Sequence, residues 1–267
     1  MLRLSFVLAL ICLPLTATAH EFWIDARQWQ VAPGDPLQAD LRVGQDFEGP
    51  SFSYLPHRTR RFDIVTGDSV IPVKGRAGDK PGLDTKAPAE GLAIVVHVTE
   101  DYTLTYKEWE KFEAFLGHKD WSALLAEHRA RGLPEMDFRE RYSRHAKALV
   151  AVGDGGGSDR EVGLETEIVA LANPYTDALP NGLPVKVLYQ GHPRADAQVE
   201  VFAKAADGTV SVELYRTDDA GLATLPVETG VTYLVDSVVL RPLEPQSEGD
   251  PVWESIWASL TFQVPTR

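Results

Sequence analysis

Pro184-Val185-Lys186-Val187-Leu188-Tyr189 and Ala197-Gln198-Val199-Glu200-Val201-Phe202 flank the turn Gly191-His192-Pro193. In both runs apolar residues largely alternate with polar ones, the period of a half-buried β-strand. Downstream, Asp207-Gly208 is a hairpin signal. Thr217-Asp218-Asp219-Ala220-Gly221 is another turn, and Tyr233 to Leu240 a further strand. From about Leu183 to Pro265 the pattern is uniformly β. Short strands separated by regular turn signals predict a β-sandwich.

Working back from there, Val162 to Leu171 reads as a strand that Asn173-Pro174 breaks. Gly153 to Asp159 is too rich in glycine to hold a regular element and forms a hairpin tip or a linker. Residues 20 to 106 repeat the β pattern. Leu37 to Val43 alternates, and Arg61–Val65 with Ser69–Val73 flank Thr66-Gly67-Asp68 as a hairpin. Leu92 to Val98 is continuously apolar and predicts a buried strand. Lys74 to Glu90, rich in Gly, Pro, Asp and Lys, reads as a long loop. Between Thr105 and Gly132 the period changes. Thr105-x-x-Glu108 has the form of a capping box. Trp109, Phe112 and Leu116 then make one apolar helical face, and Trp121, Leu124, Leu125 and His128 another. Arg139–Arg144 reads as a further helical turn, and Ala146–Val152 as a strand. The expected organisation is mainly β: one domain over 20–152 with a helical hairpin inserted at about 106–132, and a second over 160–267.

The first 19 residues have the form of an export signal. Arg3 precedes an apolar run from Leu4 to Leu15, and Ala17-Thr18-Ala19 is a small-x-small cleavage pattern. The run is shorter than the roughly 20 residues of a membrane span. The expectation is a periplasmic or secreted protein, cut after Ala19, with no stable membrane insertion. Cys12 is the single cysteine, so the processed chain would have neither disulfides nor thiolate ligands. The chain carries 26 Lys and Arg against 39 Asp and Glu, a net charge of −13. Such acidity argues against nucleic acid as a partner.

Two resemblances extend this reading. Gly191–Val199 with Thr217–Gly221 resembles the prealbumin-like sandwich of carboxypeptidase regulatory domains. A wider set of blocks is similar to the DUF4198 family. It comprises Ala19-His20-Glu21-Phe22-Trp23-Ile24, Leu41-Arg42-Val43-Gly44, Tyr142–Leu149, Gly163–Val169 with Asn173-Pro174, and Trp253–Phe262. That family is in turn similar to periplasmic nickel- and cobalt-uptake components. The resemblance implies Ig-like or prealbumin-like β-sandwich domains and a transition-metal role, and does not imply catalysis. In the nickel-uptake proteins a residue precedes the metal-binding histidine, whereas a cut after Ala19 leaves His20 first.

A chain that begins at His20 offers a metal two nitrogens, the α-amine and imidazole Nδ1, in one chelate ring. The amine has a pKa of about 7.7–8.0, so a metal displaces its proton near neutral pH. Nitrogen donors of this kind suit Cu(II) or Ni(II). His97, in the apolar strand, and His145, in the Tyr142–Leu149 block, are candidates to complete the site, with nickel, cobalt or copper as the ion and a membrane metal transporter as a partner. Glu21 and Asp25 are candidates to orient an imidazole. His128 is expected to pack, His57 and His118 to be exposed or to cap, and His192 to sit in a turn. Trp253 and Trp257 are expected in a core. No Walker, Gly-x-Ser-x-Gly, dinucleotide or His-Glu-x-x-His pattern occurs. Two other readings compete: a copper histidine-brace oxidase-type enzyme, and a metal-free structural or glycan-binding module.

Overall fold

The computed structural model describes residues 20–266; the expected signal and its cleavage point lie outside the described residues. The chain is mainly β, as its alternation predicts. The N-terminal half supplies β1 (Glu21–Ala26), β2 (Gln30–Val31), β3 (Pro36–Gly44), β4 (Ser51–Phe52), β5 (Thr59–Thr66), β6 (Ser69–Pro72), β7 (Leu83–Lys86), β8 (Gly91–Thr99) and β9 (Tyr102–Tyr106). The helices α1 (Trp109–His118) and α2 (Leu124–Ala130) follow, then the long strand β10 (Phe138–Val152). The rest is β11 (Thr166–Ala170), β12 (Leu183–Tyr189), β13 (His192–Pro193), β14 (Gln198–Lys204), β15 (Val210–Arg216), β16 (Leu222–Leu225), β17 (Thr232–Pro242) and β18 (Trp253–Gln263).

One ten-stranded sheet runs through both halves of the chain, in the order β15-β14-β17-β18-β10-β8-β5-β6 with β2 and β9 also paired to β10. The halves join where β10 and β18 pair in parallel, Glu140 opposite Trp253 and Ala148 opposite Thr261. Residues 20–152 and 160–267 therefore share a sheet. Smaller sheets are built from β1, β3, β4 and β7, and from β11, β12, β13 and β16.

Register shows how the faces of the large sheet are used. Lys147 lies opposite Leu260, and Leu260 opposite Val235. Paired residues project to the same side, and Lys147 binds Glu167 of β11 there. Asp236, one residue on, projects to the other side and binds Lys119, which follows α1. The β11–β12 sheet thus covers one face, and the helical hairpin covers the other beside β1. Phe112, Phe115 and Leu116 of α1 pack with Trp253, Trp257, Val238 and Leu240. The two tryptophans are in a core, as expected, but the helices close it. Strand β1 is buried on both sides of its pleat: Phe22 and Ile24 join the main core, and Trp23 joins Phe47, Phe202 and Leu234.

Four local expectations are corrected. Arg139–Arg144 is strand, because Glu140, Tyr142 and Arg144 serve one face of β10 and Arg141, Ser143 and His145 the other. Each face finds polar partners, so no apolar period is visible. Thr105 lies in β9, and Glu108, at the N-cap of α1, makes no side-chain capping bond. The 74–90 segment contains β7, which adds to β3 through its backbone. The second apolar helical face, Trp121 to His128, is helical only from Leu124, because Asp120 has a left-handed φ of 64° that separates the two helices. Among the described residues, no helix is long and apolar enough to cross a membrane.

Candidate functional site

Strand β1 begins at a cleft. The residue before it, His20, is exposed and lines two adjoining hollows, of about 700 Å³ and about 370 Å³. Tyr142 and Arg144 also line both. These two side chains come from one face of β10, two residues apart, so they form the wall between the hollows. Arg144 Nη2 donates to the backbone carbonyl of His20 at 3.0 Å, which fixes the rim residue to that wall.

The larger hollow also reaches Phe22, Arg58, Thr59, His97 and Tyr102. His97 lies in β8 opposite Phe62, between the rings of Phe22 at 5.2 Å and Phe62 at 5.0 Å. Its tautomer follows from its neighbour. The Thr59 hydroxyl donates to Leu55 O at 3.1 Å. It must therefore accept from His97 Nε2–H, 3.2 Å away. The proton sits on Nε2, and Nδ1 keeps its lone pair. That buried Nδ1 has no hydrogen-bond partner, an uncommon state for a buried polar atom. Burial holds the imidazole pKa down at about 3, so the ring is neutral through the physiological range.

Glu140 lines the smaller hollow, with Tyr106, Phe115 and Trp257 among its walls. Its carboxyl accepts from Tyr106 Oη at 2.7 Å and from the Ser255 hydroxyl, while Trp257 Nε1 donates to that hydroxyl at 2.9 Å. Burial pushes the Glu140 pKa up to about 7 in spite of these donors. The cleft thus holds a cation, Arg144, whose Nε has no partner, and a carboxyl poised between its two protonation states.

Of the three histidines expected to bind metal, His20 and His97 share the larger hollow, and His145 does not line it. It is buried on the other face of β10, its Nε2 3.3 Å from Ser143 Oγ. Burial lowers its pKa to about 4, and its Nδ1 has no partner. His128 packs as expected: Nε2 lies 3.0 Å from Pro134 O, and Nδ1 accepts from Trp253 Nε1 at 2.9 Å. His57 and His192 are exposed.

Sequence reasoning missed a second polar centre, directly beside the cleft. Glu21 turns inward from β1 and meets Glu200 of β14 and Asp236 of β17. Among the described residues, these form the one set of three metal-ligand side chains whose donor atoms lie within 4.8 Å of one another. A lysine ammonium already occupies the middle. Lys119 Nζ donates to Glu200 at 2.5 Å, Glu21 at 2.9 Å and Asp236 at 3.1 Å. His118 Nε2 adds a contact to Glu200 at 2.8 Å. Burial pulls Lys119 down, but the charges of Asp236, Glu21 and Glu200 outweigh it and hold the ammonium protonated. Burial also pushes Asp236 up to about 7 and raises Glu21. The available signal was charge on apolar strands: Glu200 stands between two valines, and Asp236 interrupts Tyr233–Leu240.

The family model of DUF4198, a domain of unknown function, matches residues 17–240. The chain belongs to that family. No curated protein matches the sequence. Among solved structures, the D0-D1 domain of intimin is similar over 92% of this chain and 100% of its own, at 15% identity and a TM-score of 0.25. A tetra-tandem repeat from the extending region of a large adhesion protein is similar over 91% of this chain and 49% of its own, at 10% identity and a TM-score of 0.22.

Proposed function

We propose that this is an exported protein that binds a transition metal ion, nickel, cobalt or copper, at the cleft where β1 begins. Cleavage after Ala19 would leave the His20 amine and imidazole at the rim, and His97 Nδ1 would be the next ligand. What carries the reading is that His97, which lines the same hollow as His20, keeps a buried Nδ1 lone pair without a partner. A neutral imidazole with its other nitrogen bonded to a hydroxyl is how a histidine ligand is prepared: the second contact fixes both tautomer and ring orientation. The mixed amine and imidazole donor set favours borderline ions over magnesium or calcium. The role that fits is uptake or sequestration, with transfer to a membrane transporter, in keeping with the resemblance to nickel- and cobalt-uptake components.

The test is metal titration of natively exported protein after intact-mass measurement. The expected mass begins at His20, with about one equivalent of nickel, cobalt or copper bound. Both His20→Ala and a variant with an extra residue ahead of His20 should weaken binding at least tenfold, the latter because it removes the chelating amine. Unchanged affinity in both variants would overturn the reading.

A further inference from the structure

Charge at the cleft poses a problem for any cation that enters it. Tyr102 and Tyr142 stack, their centroids 5.3 Å apart and their planes 15° from parallel. Arg58 lies 5.1 Å from the Tyr102 centroid and Arg144 lies 4.9 Å from that of Tyr142. Two guanidinium groups therefore bracket two phenol rings in the hollow that holds His20 and His97. Among the described residues neither arginine makes an ion pair, whereas Lys107 and Lys111 at the smaller hollow are paired with Asp137 and Glu108. The buried Arg144 Nε has no acceptor at all. The one carboxylate lining the larger hollow, Glu48, is exposed. A bare divalent ion on neutral nitrogen ligands would meet uncompensated positive charge here, in surroundings where water screens poorly. The chain is strongly acidic, so this local excess of cations is set against the trend of the whole surface.

We propose that Arg144 binds a carboxylate anion that occupies the cleft together with the metal, so that the ion is taken as a small carboxylate chelate rather than as the bare aquo ion. This rests on the metal reading above. A guanidinium Nε–H is half of the fork that grips a carboxylate. The same guanidinium holds the His20 carbonyl through Nη2, so an anion on Nε would lie next to the residue expected to carry the metal. Arg58, exposed at the far end of the tyrosine stack, contributes longer-range attraction.

The probes are malonate, its neutral analogue malonamide, and nickel. Metal-stripped, processed protein should bind malonate, with malonamide at least tenfold weaker, and Arg144→Gln should lose malonate binding by a similar factor while His20→Ala retains it. Nickel should bind at least fivefold more tightly with one equivalent of malonate than without. By reciprocity, malonate should bind more tightly with nickel present by the same factor. Equal binding of malonate and malonamide by the wild type would overturn the inference without relying on any variant. So would a nickel affinity indifferent to both malonate and Arg144→Gln; that result leaves the metal reading standing. Malonate binding that needs Arg144, in a protein that takes no metal under any condition, would instead remove the metal reading and leave an anion site.

Discussion

Two consecutive residues where β1 begins, His20 just before the strand and Glu21 at its start, face two polar centres built on opposite logic. Glu21 enters a closed one, in which Lys119 donates to three buried carboxylates that come from far apart in the chain. His20 opens onto the other, where Arg144 has no carboxylate, Glu140 has no cation in contact, and His97 keeps a bare lone pair. Buried charges are normally retained only when paired, because desolvation is expensive. In the first centre every carboxylate reaches the lysine, although one oxygen each of Glu21 and Asp236 has no partner, and the cluster ties the helical hairpin to three strands. The second leaves its groups without a counter-charge or partner in the lining of a cleft. On the reading proposed above, the difference separates a structural device from a site prepared for something the chain does not itself supply.

The sharpest way to break the comparison is to remove Lys119. Lys119→Met leaves three buried carboxylates with only the His118 imidazole beside Glu200 to offset them, which costs about 3–5 kcal/mol. Urea denaturation at neutral pH should show a loss of that size or an unfolded protein, with recovery toward acid pH as Asp236 and Glu21 take up protons. A loss below about 1 kcal/mol would mean that the cluster is not structural.

Somewhat smaller effects should appear in the pH dependence of stability, and they should have opposite signs. The Glu140 pKa rises to about 7 on folding, so the folded state holds a proton that the unfolded chain has already lost. Its contribution is full at acid pH and disappears as pH rises through 7. The His97 pKa falls to about 3, so its contribution is present above an unfolded pKa of about 6.5 and is lost as pH falls. Between pH 5 and 6.5 each group moves stability by about 1.5 kcal/mol. Asp236, pushed up to about 7, and His145, pulled down to about 4, form a second opposed pair. In the metal-stripped wild type these two opposed pairs should largely cancel across this range. Glu140→Gln should lose about 1.5 kcal/mol on acidification from pH 6.5 to 5, and His97→Gln should gain about as much. Parallel slopes in both variants would mean that the burial of these groups does not set their titration.

The strands were legible because their alternation between core and solvent is local. Arg139–Arg144 was not, since both faces of that stretch of β10 carry polar groups. Glu140 and Arg144 line the cleft, and Arg141 donates to Glu254 on the other side. Strand β7 was hidden in a Gly- and Pro-rich loop because it joins β3 by backbone bonds that leave no side-chain period. The cleft was legible at one point, His20, whose place after a cleavage pattern drew attention to it, and His97 stood out as a histidine on an apolar strand. Arg144 and Glu140 became visible only through what they lack, a partner for one and a counter-ion for the other. No sequence pattern records an absent contact. The Lys119 cluster brings together positions 21, 119, 200 and 236, and no local rule connects them.

The smallest expected effect sharpens the comparison most. Arg144→Gln removes a partly buried cation, where Lys119→Met removes a fully buried one, and its consequence for stability should lie within about 1 kcal/mol of zero. Its loss leaves no carboxylate stranded. It gives up stacking on Tyr142, worth about 0.5–1 kcal/mol, and one hydrogen bond to a carbonyl, worth about as much. Against these stands relief from holding an unmatched guanidinium out of water, which burial already disfavours enough to lower its pKa. Unfolding free energies of the two variants from urea titration, measured side by side at pH 7, should therefore differ by several kcal/mol although both remove one positive charge. Equal losses would place Arg144 in the scaffold. A near-neutral Arg144→Gln would mean that the fold keeps this arginine for a reason other than its own stability, as residues at binding sites commonly are kept.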